Sequence, residues 1–219
     1  MLFLVPACSQ GQRKGKKAEV RDHGVMTLAD YKAEKKFNGL KEATFAGGCF
    51  WCTEASFERI KGVVDVISGY SGGEKEYPTY REVANKMTKH AEAIHIFYDP
   101  EVIDYKTLLE VFFVAHDPTQ LNKQGPDVGP QYRSEIFYHN EEQKNQAEAY
   151  MKKLGESGKF DKEIVTKLSA LDEFWVAEGY HQNYYELNPY QGYIMSVSKP
   201  KVEKVMKTFP DLLKEDYKM

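Results

Sequence analysis

Eight residues, 47–54, constrain this chain more than any other stretch, and they read GGCFWCTE. The apolar run before them, residues 43–46, is typical of a strand, and the apolar spacing after them is that of an amphipathic helix. Cys49 therefore lies where a strand turns into a helix N-terminus, whose free N–H groups and dipole favour a thiolate over a thiol. The two glycines permit backbone angles and close packing that a side chain would block. This pattern predicts a nucleophilic cysteine with an apolar pocket formed by Phe50 and Trp51.

The other cysteines limit the remaining chemistry. The chain has three in all, Cys8, Cys49 and Cys52, which is too few for a disulfide framework. A structural zinc site normally needs four ligands, and the chain has no second cysteine pair or suitably spaced histidine pair to supply them. We therefore expect no metal and no disulfide scaffold, which leaves one Cys-x-x-Cys pair for redox chemistry.

Composition describes a soluble globular protein in which one domain accounts for most of the chain. The chain has 219 residues, 42% of them hydrophobic, and a formal net charge of −3, which gives no electrostatic reason to expect nucleic-acid binding. No apolar run is long enough to span a bilayer. We expect residues 1–40 to be a tail or linker and residues 41–219 to be a single domain.

The first residues leave two interpretations open. Residues 2–9 form a short apolar stub that resembles the end of a bacterial lipoprotein signal, in which Cys8 would be lipidated. The alternative is a disordered tail with an incidental cysteine. The first interpretation places the protein in the cell envelope, attached to a membrane only through Cys8, and the second places it in the cytoplasm.

Periodicity predicts an α/β chain. Asp104 is a plausible N-cap for the helix that follows it, and Asp117-Pro118 would end that helix. Residues 118–132 carry two Gly-Pro pairs and little apolar periodicity, which is typical of a binding loop. The predicted strands are residues 43–46, 63–68, 92–98, 134–138 and 163–168, and the predicted helices are residues 50–60, 104–115, 141–154 and 201–214.

The octapeptide also resembles the active-site signature of the peptide methionine sulfoxide reductase A family, in which Gly-Cys-Phe-Trp is the most specific element. The similarity covers roughly residues 41–200, and six blocks in the family's order carry it, not the cysteine motif alone. The five further blocks are residues 78–83 (PTYREV), 90–93 (HAEA), 116–120 (HDPTQ), 131–134 (QYRS) and 177–182 (AEGYHQ).

This resemblance implies both a fold and a reaction. The family's fold is a two-layer α+β sandwich, in which a mixed β-sheet of ferredoxin-like type is flanked by helices. The implied reaction is the thiol-dependent reduction of the S epimer of methionine sulfoxide, free or in proteins, to methionine, without a cofactor. The nucleophilic cysteine would pass through a sulfenic acid, and thioredoxin or a similar thiol reductant would recycle it, so that oxidised proteins are repaired.

Reducing a sulfoxide without a metal requires a thiolate that attacks the sulfur, a proton donor for the oxygen and an apolar slot for the methyl group. Glu92 is the candidate donor, because alternation along the predicted strand 92–98 places it on the face that carries apolar side chains. Burial there would raise the pKa of its carboxyl toward neutrality, as a general acid requires. The alternative is that Glu92 lies at the solvated end of the strand. By resemblance, Glu92 matches the family's proton donor.

Other site residues rest on the resemblance alone. Tyr80 and Tyr132 match family positions whose hydroxyl groups bind the sulfoxide oxygen, and Asp127 matches a position near the substrate. His90 and His181 lie in family blocks, but we expect structural roles for both, since a lone histidine more often satisfies hydrogen bonds than performs chemistry.

Cys52 departs from the commonest family pattern, which has glycine at this position and resolving cysteines further downstream. Ala84 stands where some members carry the resolving cysteine, so Cys52 is the only other thiol of the predicted domain. Positions i and i+3 of a first helical turn lie close enough for a disulfide, and we expect Cys52 to resolve the sulfenic acid of Cys49. The alternative is that Cys52 only packs and that an external thiol reduces Cys49 directly. Two other functions stay open from the residues, a thioredoxin-like Cys-x-x-Cys disulfide oxidoreductase and a lipid-anchored binding protein without catalysis.

Overall fold

The structure is a computed structural model that describes residues 24–218, so Cys8 and its predicted lipidation lie outside the described residues. Nine strands are present in this range. They are β1 (Met26–Thr27), β2 (Lys41–Gly47), β3 (Val63–Ser71), β4 (Ala91–Tyr98), β5 (Lys123–Gln124), β6 (Asp127–Val128), β7 (Ser134–Tyr138), β8 (Lys167–Ala170) and β9 (Phe174–Val176).

Seven α-helices accompany these strands within residues 24–218. They are α1 (Leu28–Ala33), α2 (Phe50–Glu58), α3 (Tyr80–Ala84), α4 (Tyr105–Ala115), α5 (Glu141–Glu156), α6 (Tyr184–Leu187) and α7 (Lys199–Thr208). A π-helical turn, Ile194–Ser198, runs directly into α7. None of the helices in the described part of the chain is long and apolar enough to cross a membrane.

Seven strands form one mixed sheet in the order β1-β9-β3-β4-β2-β7-β8, and β5 and β6 form a separate hairpin. All neighbours in the large sheet pair antiparallel except β7 and β8, which are parallel. This arrangement confirms the predicted α/β class, a mixed sheet flanked by helices.

The sheet has a buried core on each face, as β4 illustrates. Ile94 and Ile96 of β4 belong to the larger core, which α2, α4, α5 and α7 complete, whereas Ala93 and Phe97 belong to a smaller core under α1. β1 and α1 precede residue 41, where the sequence predicted the domain to begin, and β1 pairs with β9.

Most predicted elements lie within a few residues of the observed ones. Asp104 caps α4 as predicted, because its Oδ1 accepts a hydrogen bond from the backbone N–H of Thr107 at 2.7 Å. The predicted helix 201–214 is too long at its C-terminal end, since α7 stops before Pro210, which begins a 3-10 turn. The predicted strand 163–168 was also wrong. β8 begins only at Lys167, and Val165 instead donates a backbone hydrogen bond to the carbonyl of Pro118 at 2.8 Å.

Candidate active site

Cys49 occupies the junction between β2 and α2, where it is the N-cap residue of the helix. Both glycines before it are required by their surroundings. Gly48 has φ of +91°, and a Cβ there would lie 2.6 Å from Cγ of Gln124. A Cβ on Gly47 would lie 3.0 Å from the ring of Phe112. The junction therefore packs against α4 and the hairpin loop more closely than any side chain would permit.

Glu92 lies in β4, whose residues are all buried, and not at a solvated strand end, and it is 2% exposed. Its Oε2 accepts a hydrogen bond from the backbone N–H of Phe50 at 3.1 Å, which places the carboxyl at the first turn of α2, beside Cys49. Burial raises the pKa of Glu92 to about 8, and the nearby Asp127 adds to the shift. Glu92 therefore holds a proton at neutral pH.

Cys49 and Cys52 are both buried, and their side chains are hydrogen-bonded to each other. Burial and the Cys52 sulfur raise the pKa of Cys49, so the predicted effect of the helix N-terminus is outweighed in the resting site. The hydrogen bond to Cys49 lowers the pKa of Cys52 to about 7, helped by Lys201 and Ser198 against the cost of burial. The two sulfurs thus hold one proton between them, and the negative charge of the thiolate belongs to the pair and not to one cysteine alone.

Aromatic side chains pack beside Cys49, where the sequence predicted an apolar pocket. Phe50 is buried and packs against Tyr80, while the half-buried Trp51 stacks on Tyr184 with ring centroids 3.9 Å apart. The indole Nε1 of Trp51 donates to Nδ1 of His181 at 3.2 Å. Burial lowers the pKa of His181 to about 4, so it is neutral and accepts this bond, which fixes the orientation of the Trp51 ring.

The three residues identified only by resemblance also converge here. Burial, followed by the nearby Glu92 and Cys49, raises the pKa of Tyr80 to about 12, and burial and the same neighbours raise the pKa of Tyr132 further. Both phenols are therefore neutral hydrogen-bond donors near the sulfur and the carboxyl. Asp127 lies on β6 in the predicted binding loop, within electrostatic reach of the same groups.

Sequence reasoning missed two residues that hold this site together. The hydroxyl of Tyr193 donates to Oδ2 of Asp127 at 2.6 Å and is also hydrogen-bonded to Cys49. Glu178 accepts from the backbone N–H of Tyr80 and from the hydroxyl of Tyr70, each at 2.8 Å. Glu178 lies in the family block 177–182, and Tyr193 ends a tyrosine-rich stretch. No periodicity in the sequence identified either residue as part of the site.

His90 has the structural environment that the sequence predicted for it. Its Nδ1 accepts from the backbone N–H of Gly73 at 3.2 Å, and its Nε2 bonds to the carbonyl of Lys75 at 2.8 Å. Within residues 24–218, no group of three or more His, Cys, Asp or Glu side chains is arranged to hold a metal ion. The site is thus built from sulfur, carboxyl and phenol groups.

Comparison with known proteins gives a consistent result. A family model described as peptide methionine sulfoxide reductase matches residues 41–212. The peptide methionine sulfoxide reductase MsrA of Natronomonas pharaonis is 53% identical over 169 residues, which are 77% of this chain and 95% of that protein. Mxr1 of Saccharomyces cerevisiae in its reduced form has a TM-score of 0.63 and 38% identity, covering 71% of this chain and 88% of its own. Methionine sulfoxide reductase A of Corynebacterium diphtheriae has a TM-score of 0.62 and 34% identity, over 69% and 76% of the two chains.

Proposed function

The chain belongs to the peptide methionine sulfoxide reductase family and reduces methionine sulfoxide to methionine, and we propose that Cys49 and Glu92 perform the chemistry. The single observation that carries the assignment is the buried, protonated carboxyl of Glu92, hydrogen-bonded to the residue next to Cys49. The alternative of a thioredoxin-like disulfide oxidoreductase gives this carboxyl no task, since thiol exchange transfers no oxygen.

The first step is an oxygen transfer from the substrate to the enzyme. The Cys49 thiolate forms when its proton passes to the Cys52 sulfur, and it attacks the sulfur of the bound sulfoxide. Glu92 gives its proton to the sulfoxide oxygen, so the leaving product is neutral methionine and Cys49 becomes a sulfenic acid. Glu92 is left as a carboxylate and Cys52 as a thiol, so protons and oxygen balance.

The surrounding side chains orient the substrate. We assign the methyl group of the sulfoxide to the slot formed by Phe50 and Trp51, because an apolar wall beside Cys49 directs the sulfur to the thiolate. The hydroxyl groups of Tyr80 and Tyr132 donate to the sulfoxide oxygen, and Asp127 keeps Tyr193 in place. A site of fixed shape binds one configuration at a chiral sulfur, and we assign the S epimer to it.

The second step regenerates the nucleophile through Cys52. The Cys52 sulfur attacks the sulfenic sulfur of Cys49, the S–O bond breaks and its electron pair leaves with the hydroxyl group as water. The Cys49–Cys52 disulfide is then reduced by thioredoxin or a similar dithiol. Because both sulfurs are buried in the reduced protein, this step requires that the disulfide become exposed. Attachment to a membrane through Cys8 stays a separate prediction.

The assignment is tested by comparing Cys49→Ser with Cys8→Ser in an assay of methionine formed from the sulfoxide. The Cys49 variant should form no methionine above background, because a serine hydroxyl without an adjacent base is too weak a nucleophile. The Cys8 variant is the matched control and should keep its full rate. Normal turnover in Cys49→Ser would refute the proposed chemistry.

A further inference from the structure

The segment that joins the π-helical turn to α7 lies against Cys52. The thiol of Cys52 donates to Oγ of Ser198 at 3.2 Å, and both residues are buried. One turn further on, Nζ of Lys201 is buried and has no hydrogen-bond partner among residues 24–218.

An ammonium group that is buried without a partner is costly, and a nearby negative charge offsets that cost. Lys201 acts electrostatically on two described groups, Cys52 and His116. Burial lowers the pKa of His116 to about 4, so this ring is neutral and supplies no counter-charge. Of these two groups only Cys52 can become an anion, and Lys201 stabilises its thiolate.

The other groups that face Cys52 do not supply a cation. Cys49 hydrogen-bonds to it, Asp127 and Glu92 oppose a negative charge there, and Tyr185 and Tyr193 are neutral phenols. Lys201 is thus the positive group that acts on this sulfur within the described structure.

We propose that Lys201, together with Ser198, is a positioning residue of the resolving step, which holds Cys52 in the thiolate form for attack on the Cys49 sulfenic acid. The proposal rests on the proposed function of Cys52. Once Cys49 carries oxygen it no longer shares a proton with Cys52, so the bond that favours the Cys52 thiolate in the resting site is lost. The oxidation of Cys49 does not alter Lys201 or Ser198, and both continue to stabilise the Cys52 thiolate.

The chemistry balances with groups already present. The Cys52 proton passes to the carboxylate of Glu92, which was left unprotonated by the first step, and the Ser198 hydroxyl turns to donate to the thiolate. The Cys52 sulfur forms the S–S bond and is oxidised. The Cys49 sulfur is reduced, and the departing hydroxide takes the proton back from Glu92 to leave as water.

The test compares Lys201→Met, Lys201→Arg and Lys204→Met in a Cys8→Ser background, so that the pair is the only source of a disulfide within the chain. Lys204 is the matched control, because it is an exposed cation of α7 that also acts on His116. One equivalent of methionine sulfoxide is added without external thiol. Methionine release and disulfide formation are then followed separately by rapid quenching and mass measurement from pH 6 to pH 9.

Loss of a nearby cation should raise the pKa of Cys52 by about one unit, which leaves about tenfold less thiolate at pH 6. Each thiolate is then about threefold more reactive, because nucleophilicity rises with pKa with a coefficient of about 0.4–0.5. Disulfide formation in Lys201→Met should therefore be about threefold slower where the pH lies below both Cys52 pKa values, that of the parent and that of the variant, and about threefold faster where it lies above both. Lys201→Arg and Lys204→Met should follow the parent.

A crossing pH profile distinguishes electrostatic positioning from a packing defect, which would slow the step at every pH. As an independent measurement, the absorbance of the Cys52 thiolate near 240 nm in a Cys8→Ser/Cys49→Ser background should titrate about one unit higher in Lys201→Met. Equal profiles in Lys201→Met and the parent would overturn the role of Lys201 while leaving Cys52 as the resolving residue. The absence of an internal disulfide in the parent would instead refute the proposed function of Cys52.

Discussion

Replacing Glu92 by glutamine should make the enzyme slower and more stable at the same time. The amide matches the carboxyl in shape and still accepts the hydrogen bond that the backbone N–H of Phe50 donates at 3.1 Å. It has no acidic proton to give, so the rate of methionine formation in a single turnover should fall by about 10²–10⁴-fold near neutral pH.

The gain in stability follows from the raised pKa. Burial moves the Glu92 pKa from the ordinary value of 4.5 to about 8 in the folded protein, a difference of 3.5 units that is worth about 5 kcal/mol in full. The unfolded chain releases this proton above about pH 4.5 and the folded chain only above about pH 8. The wild-type protein therefore loses stability between these two pH values, whereas the glutamine variant loses none from this position.

Urea denaturation of the two proteins at pH 5 and pH 8 measures this effect. The glutamine variant should exceed the wild type by about 1 kcal/mol at pH 5 and by about 4 kcal/mol at pH 8, when the linkage is evaluated between the two pKa values. Glu101→Gln, at an exposed position, is the control for replacing a carboxyl by an amide. A difference between Glu92→Gln and wild type that stays constant from pH 5 to pH 8 would refute the raised pKa and, with it, the role of Glu92 as the acid.

Two further substitutions examine the neighbours of Cys49. Cys52→Ser should release one equivalent of methionine, more slowly than the wild type because serine does not take the Cys49 proton, and then stop with a sulfenic acid that dimedone labels. Continued cycling with thioredoxin would mean that an external thiol resolves Cys49. Tyr193→Phe should slow methionine release by about tenfold to hundredfold, because it removes a hydroxyl that hydrogen-bonds to the Cys49 sulfur and to Asp127. In stopped-flow measurements, an unchanged rate for Tyr193→Phe would make that hydroxyl a packing group only.

The sequence predicted those parts of the molecule that depend on local pattern. The two-residue period of a strand places Glu92 on the face of β4 that carries Ile94 and Ile96, and the start of α4 follows from a capping aspartate. The junction at Cys49 was predictable because two successive glycines indicate a positive φ or a close approach of neighbouring atoms to the backbone.

What depends on distant contacts was not predictable. Tyr193 reaches Asp127 across 66 positions of the chain, and Lys201 acts on Cys52 because α7 packs on α2. The state of the cysteines was missed for the same reason. A helix N-terminus lowers the pKa of a cysteine thiol, but burial and the neighbouring Cys52 sulfur act in the opposite direction, and only the folded arrangement shows which effect is larger.

The depth of the Cys49 sulfur has a consequence for an enzyme that works where oxidants are abundant. Peroxides react with exposed thiolates, and repeated oxidation carries a cysteine past the sulfenic acid to forms that thiols do not restore. With Cys49 only 5% exposed and its proton shared with a second sulfur, the resting enzyme offers such oxidants little to attack. A methionine side chain, by contrast, is long and unbranched, so its oxidised tip can enter the aromatic slot and bring its own oxygen to the sulfur. Burial thereby protects the nucleophilic cysteine from the oxidants that generate the enzyme's substrate.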